Sequence, residues 1–453
     1  MLVTHAMLVT WDEERRLLPD HALLVRDGII TDLGPSAEME ARYPAEERLD
    51  ARGQWVMPGQ ICAHTHFYGA FARGMAIPGP APKDFPEILQ RLWWPLDQAL
   101  DEEAVRLSAE VMLVDAIRNG VTTLFDHHAS PNALEGSLDV IAEVVQRAGV
   151  RAVLAYEVTD RYGKAKARTA IEENRRFAER VRRDPAYGTP QQRLAATFGL
   201  HASLTLDEDT LAAAREACPP EVGFHIHLAE HPADEDDSLR RTGERAADRL
   251  SRHGILGEGT IVAHGVHIDA REMLHLAETG TWLSHQPRSN MNNAVGAARV
   301  EEMLRLGVRV VLGTDGFPHA MWEEMRFAYL LPKLAAGDPR RMDGNTVMRI
   351  AVENNRALAE RYFPGVSLGR LTRGAAADLI FVDWHPHTPV TPENLPWHLL
   401  FGAYERQITT TIVAGRVLMR DGALLTLDEE AIAARAREKA PQVWEAYRPF
   451  VPH

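Results

Sequence analysis

Apolar runs recur along the middle of the chain at 60–66, 121–127, 150–157, 194–201, 222–228, 259–264, 280–285 and 308–315. Runs of this length, bounded by turn-forming or polar residues, read as buried strands. Between them apolar positions fall three and four apart, and Glu103 to Ile117 is the clearest helical case. Strand–helix alternation predicts a parallel sheet covered by helices. About eight such units over roughly 300 residues fit a closed (β/α)8 TIM-type barrel. A doubly wound open sheet fits less well, because the Gly-rich phosphate turn expected after its first strand is missing.

The two ends of the chain have a different texture. Leu23-Leu24-Val25-Arg26, Gly28-Ile29-Ile30 and Gly53-Gln54-Trp55-Val56 read as short strands, and similar ones return at 377–382 and 410–418. The α/β barrel is therefore expected at 57–362. A small composite β-sandwich domain should form from residues 1–56 and 363–453. The alanine- and glutamate-rich piece from Leu427 to Tyr447 reads as a terminal helix.

Composition narrows the partners. Of 453 residues, 45% are hydrophobic and 25% charged, the profile of a folded protein. The net charge of −14 disfavours nucleic acid and anionic membranes as partners. Arg175-Arg176-Phe177-Ala178-Glu179-Arg180 has helical spacing and reads as a solvated helix face. Cys62 and Cys218 make no disulfide framework. Neither a signal peptide nor an apolar stretch of membrane-spanning length is visible, so a cytoplasmic protein with a small-molecule substrate is expected. Twenty histidines is a high count, and many stand where predicted strands end.

His64 and His66 close the first strand two residues apart, so their side chains point the same way. The fifth strand carries His225 and His227 on one face, with Glu230 just beyond its end. Others end at His201, His264, His285 and Asp315, and Asp126-His127-His128 closes the second. A lone strand-end histidine is more often a hydrogen-bonding residue than a ligand, and Asp315 before Gly316 suits a turn. A barrel, however, brings all its strand ends into one mouth. A catalytic zinc takes about three protein ligands and leaves a position for water. His64, His66 and one of His225 or His227 supply the nitrogens in this reading, with Asp315 as a carboxylate. A metal lowers the pKa of its water towards ~7, and a nearby carboxylate must then move protons. Glu230 and Asp315 are the candidates.

These residues, in this order, resemble the amidohydrolase superfamily, in its mononuclear aminohydrolase branch of guanine, adenosine-type and triazine-acting enzymes. The likeness covers nearly the whole chain. It extends to the aminohydrolase group called SsnA, known from bacterial purine and selenium gene clusters. Cys62-Ala63-His64-Thr65-His66-Phe67-Tyr68, Leu92-Trp93-Trp94-Pro95-Leu96-Asp97, Asp126-His127-His128-Ala129-Ser130-Pro131, Arg288-Ser289-Asn290-Met291-Asn292-Asn293 and Gly313-Thr314-Asp315-Gly316 carry it. The resemblance implies one divalent ion, zinc or alternatively iron, held by His64, His66, His227 and Asp315, with His225 in support. It makes Glu230 the proton shuttle, His264 the residue that orients the water, and Asp315 the carrier of the second proton. His201 stands where relatives contact substrate, and a homodimer follows by analogy.

Trp93, Arg288 and His128 are further expected substrate contacts, each with a plainer alternative: core packing, a surface salt bridge, or support behind the site. The retained Glu230 favours deamination of a purine- or pyrimidine-like ring. Opening a cyclic amide in such a ring is the rival. A metal-binding partner protein of purine metabolism without turnover stands third.

Overall fold

Among the described residues, 1–452 in this computed structural model, eight parallel strand positions follow one another around a ring. They are Gln60–Thr65, Val121–His128, Arg151–Tyr156, Leu194–Ala196 continued by Phe198–Ala202, Phe224–Leu228, Ile261–His264, Trp282–His285 and Arg309–Leu312. Pairing follows chain order in two parallel runs. Parallel bridges from Val158 to Leu200 and from Thr65 to Asp315 join the runs into a barrel. Each strand lies between interior and helix layer, so the second is buried along its whole length. Phe125, Val153, Ile261 and Val311 fill the interior below the site.

The two helices expected over Glu103 to Ile117 and Leu427 to Tyr447 form as Glu102–Arg118 and Glu429–Tyr447. Glu102–Arg118 begins at Asp101, whose carboxylate accepts the Ala104 N–H, and carries Glu102 and Glu103 in its first turn. Both features neutralise the unpaired N–H groups of a helix start. The terminal helix, Glu429–Tyr447, lies against Glu102–Arg118 and Trp94–Ala99. Its Trp444 Nε1 donates to the Phe71 carbonyl at 2.9 Å, tying the end of the chain to the segment after the first barrel strand.

Strands from both chain ends share one sheet. From one edge the order is Ala423–Leu424, Arg416–Arg420, Ile408–Val413, Leu379–Val382, Trp55–Pro58, Leu2–Val9, Leu17–Arg26 and Ile29–Pro35, with Arg48–Asp50 also beside Leu2–Val9. One buried ion pair connects this sheet to the barrel. Arg151, at the start of the third barrel strand, donates from Nε to Asp378 Oδ2 at 2.8 Å and from Nη2 to Oδ1 at 3.1 Å. Asp378 also accepts the Ala414 N–H at 2.7 Å. Among the described residues, no helix is long and apolar enough to cross a membrane.

Removing one member of such a pair strands the other charge in the interior. Asp378→Ala is expected to lower stability by about 3–5 kcal/mol, read from the midpoint of urea unfolding. Substituting Arg151→Met as well should restore much of the loss; equal stability of the single variant and the parent would refute the coupling.

Candidate active site

The C-terminal ends of the barrel strands open into a cavity of about 590 Å³. His66, His201, His227, Glu230, His264 and Asp315 line it, so six residues from five strand ends share one chamber. His64 lies directly beneath, fully buried, with its ring centroid 4.8 Å from that of His66.

Hydrogen bonds at the back of each ring orient the imidazoles. His66 Nδ1 donates to the His127 carbonyl at 2.6 Å, and His227 Nδ1 donates to the His201 carbonyl at 2.7 Å. Each ring is left with Nε2 directed forward, and these two nitrogens stand 3.2 Å apart. His64 Nδ1 meets His225 Nε2 at 2.8 Å, while its buried Nε2 has no hydrogen-bond partner among the described residues. Asp315 Oδ1 sits 3.1 Å from His66 Nε2 and 3.8 Å from His64 Nε2. Lone pairs facing lone pairs beside a carboxylate form a donor set that fits a divalent cation.

The electrostatics agree. Burial opposes charge on His66, yet the hydrogen bond and charge of Asp315, with Glu157 beyond, push its pKa up to about 9. The pocket thus favours positive charge at this point. Burial would raise Asp315, but His66, His264 and the Ser289 hydroxyl at 2.5 Å hold it well below the usual carboxylate range.

Beside this cluster stand Glu230 and His264. Glu230 Oε2 is 3.4 Å from His264 Nε2, and its Oε1 accepts from Asn293 Nδ2 at 3.3 Å. Burial pushes Glu230 up to about 7, against the pull of His264. A carboxyl in that range can both take and give a proton near neutrality. His264 Nδ1 meets Asn290 Oδ1 at 2.9 Å, which aims Nε2 at the carboxylates. Ala229, His264 and Asp315 have φ of 46°, 75° and 55°, a left-handed conformation costly for residues with a Cβ. Asp234 holds the first of these bends, accepting from the Ala229 and Leu204 N–H groups at 2.8 Å each.

Trp93 also lines the cavity, its ring edge-on to Tyr68 with centroids 6.3 Å apart. Two expected substrate contacts lie elsewhere. Arg288 turns away from the cavity, bound by Glu324, Glu323 and the Pro318 carbonyl, and so braces the loop after Asp315. His128 falls on the outer side of its strand, with Nε2 2.8 Å from Ser130 Oγ. Side-chain alternation sends His127 inward instead, to the His225 carbonyl at 2.9 Å. Glu157 is absent from the residues expected at the site, and Ser289 and Asn293 appear among them only within the Arg288–Asn293 motif, without a role. Glu157 follows the third strand directly, the position where a barrel puts its chemistry. Ser289 and Asn293 are four apart, on one side of the turn that follows the seventh strand.

A barrel with a histidine- and carboxylate-rich cluster at its strand ends suits metal-assisted chemistry of many kinds, and comparisons narrow it. The amidohydrolase family profile matches residues 55–418, and the chain belongs to that family. A profile described as an imidazolonepropionase-like composite domain of bacteria matches residues 22–45. The chain is 35% identical over 408 residues to a 5-methylthioadenosine/S-adenosylhomocysteine deaminase of Haloarcula marismortui, covering 88% of this chain and 89% of the relative. It is 30% identical over 451 residues to a 5'-deoxyadenosine deaminase of Methanosarcina mazei, covering 98% of both. The fold is similar to that of a zinc-bound adenosine deaminase from Xanthomonas campestris, with a TM-score of 0.83, 24% identity and 98% of both chains covered.

Gly313 tests the geometry. A Cβ there would lie 2.6 Å from the His64 nitrogen and 2.7 Å from its carbonyl oxygen. Gly313→Ala should push the first and eighth strands apart and weaken divalent-ion retention by about ten- to a hundredfold. Elemental analysis after dialysis against graded chelator reads this, with circular dichroism to verify folding; undiminished retention would count against the ligand cluster.

Proposed function

We propose that this chain is a metal-dependent aminohydrolase that replaces an amino group on a purine-like ring with oxygen and releases ammonia. Adenine nucleosides are the substrates to try first, since two relatives at 30% identity or more are named as deaminases of such compounds. The observation carrying the reading is the convergence, in one cavity, of Glu230, His264 and Asp315 with the imidazoles of His66 and His227. The family relationship and the relatives' names together make it a hydrolase of carbon–nitrogen bonds other than peptide bonds.

His64, His66, His227 and Asp315 would hold one divalent ion, for which zinc is our assignment and iron the alternative. When bound, such an ion acts as a Lewis acid that makes water nucleophilic at neutral pH. Glu230 takes the proton given up by the attacking water and passes it to a ring nitrogen. His264 donates towards the attacked carbon's new oxygen and keeps the water in line. Asp315 receives the second proton and delivers it to the departing amine. Water adds, ammonia leaves, and the ring carbon finishes as a carbonyl. Trp93 would offer a flat apolar surface to the ring, and His201 would meet its edge.

Glu230→Gln should lower ammonia release by about 10²–10⁴-fold while bound metal stays unchanged. An ammonia assay run beside ring absorbance is the measurement. Ring loss without ammonia, across adenine nucleosides, oxopurines and aminopyrimidines, would replace this reading with cyclic-amide opening. Full ammonia release by the variant would remove Glu230 from the chemistry.

A further inference from the structure

The cavity has a second polar pole that proton shuttling does not use. Glu157 and Asp97 both line it, on the side where Trp94 and His201 stand. Both carboxylates are almost completely buried, at 2% and 1% exposure. Glu157 Oε1 faces His127 Nδ1 at 3.1 Å, which explains one oxygen as support for the histidine cluster. Its other oxygen has no such use. Oε2 lies 3.7 Å from Arg161 Nη2 and 3.9 Å from His201 Nε2, both beyond hydrogen-bond reach. Asp97 repeats the pattern: Oδ2 accepts from Tyr162 at 3.2 Å and Arg161 at 3.3 Å, while Oδ1 is buried without a hydrogen-bond partner among the described residues. Arg161 itself lies over the Trp94 ring, 4.9 Å from its centroid, and acts as the counter-charge behind this wall.

Unspent acceptor oxygens held in a buried wall are costly unless something donates to them. We propose that Glu157, backed by Asp97 and Arg161, is a specificity-determining subsite that binds hydrogen-bond donors, O–H or N–H, on the end of the substrate away from the reacting carbon. The inference rests on the cavity being the substrate site of the aminohydrolase described above, and it adds the class of ligand: donor-bearing at this end. A sugar hydroxyl and a ring N–H have the same donor chemistry, and two ligand pairs distinguish them.

Calorimetric titration of the metal-loaded protein, using ligands with no amine to lose, tests the subsite independently of turnover. Purine riboside is compared with its 2',3'-dideoxy form, and hypoxanthine with 9-methylhypoxanthine, whose missing N–H lies on the side of the ring away from the reacting carbon. In the parent protein, at least one pair should favour the donor-bearing member by about tenfold or more. Whichever pair does so identifies the source of the donor. In Glu157→Leu that preference should fall to near unity, with metal content unchanged; Glu157→Gln, which keeps an acceptor oxygen, should restore part of it. Preference near one in the parent, or preference surviving in Glu157→Leu, overturns the subsite. Equal weakening of both members together with metal loss also overturns it, because Glu157 would then be only a support for His127 and His66. Donor preference without ammonia release from any substrate would leave the subsite standing and sink the deaminase reading instead.

Discussion

The seam between the first and eighth barrel strands is the constraint on which the site depends. The His64 carbonyl accepts both the Thr314 N–H at 2.9 Å and the Asp315 N–H at 3.0 Å, and Thr65 Oγ1 donates to the Asp315 carbonyl at 3.0 Å. Only a residue without a Cβ lets the strands approach this closely, hence Gly313. Closing the ring here sets Asp315 against the imidazoles of His64 and His66, which come from the far end of the barrel's sequence. The left-handed backbone of Asp315 follows from the same closure, and the surrounding hydrogen bonds sustain it.

Around that seam the protein solves a desolvation problem. Many imidazoles and carboxylates sit together out of water, which is tolerable only if each polar atom has a partner. Backbone carbonyls of His127 and His201 take up the rear nitrogens of His66 and His227. Side chains do the same elsewhere: Asn290 behind His264, His225 behind His64, Ser289 beside Asp315. The Nε2 atoms of His64, His66 and His227 are left facing one another and Asp315, so the groups behind the rings also aim the donor set.

A barrel of this kind carries many chemistries, and family membership alone does not identify the substrate. The residues next to the reacting centre define the type of bond broken. The opposite wall of the cavity is lined by Trp93, Trp94, Asp97 and Glu157, and our proposal gives it the task of telling substrates apart. In that proposal, proton transfer at Glu230 and recognition occupy opposite ends of one cavity.

Much of this was legible in the chain itself. Strand-length apolar runs fall within a few residues of the observed strands, and the expected helix from Glu103 to Ile117 is Glu102–Arg118. Period and burial are local properties, so local sequence reports them. His64, His66, His227, Glu230, His264 and Asp315 were likewise readable, because barrel topology carries strand ends to one mouth. Direction within that mouth was not. Arg288 and His128 are chemically suited to a substrate, but Glu324 captures one and strand alternation turns the other outward. Glu157 stood outside the sequence expectations and Asp97 entered them only as the last residue of the Leu92–Asp97 motif; packing removes water from both and leaves an oxygen of each without a donor. Which nitrogen faces forward, and which carboxylate stays unspent, depend on partners distant in sequence, and only the folded chain brings those partners together.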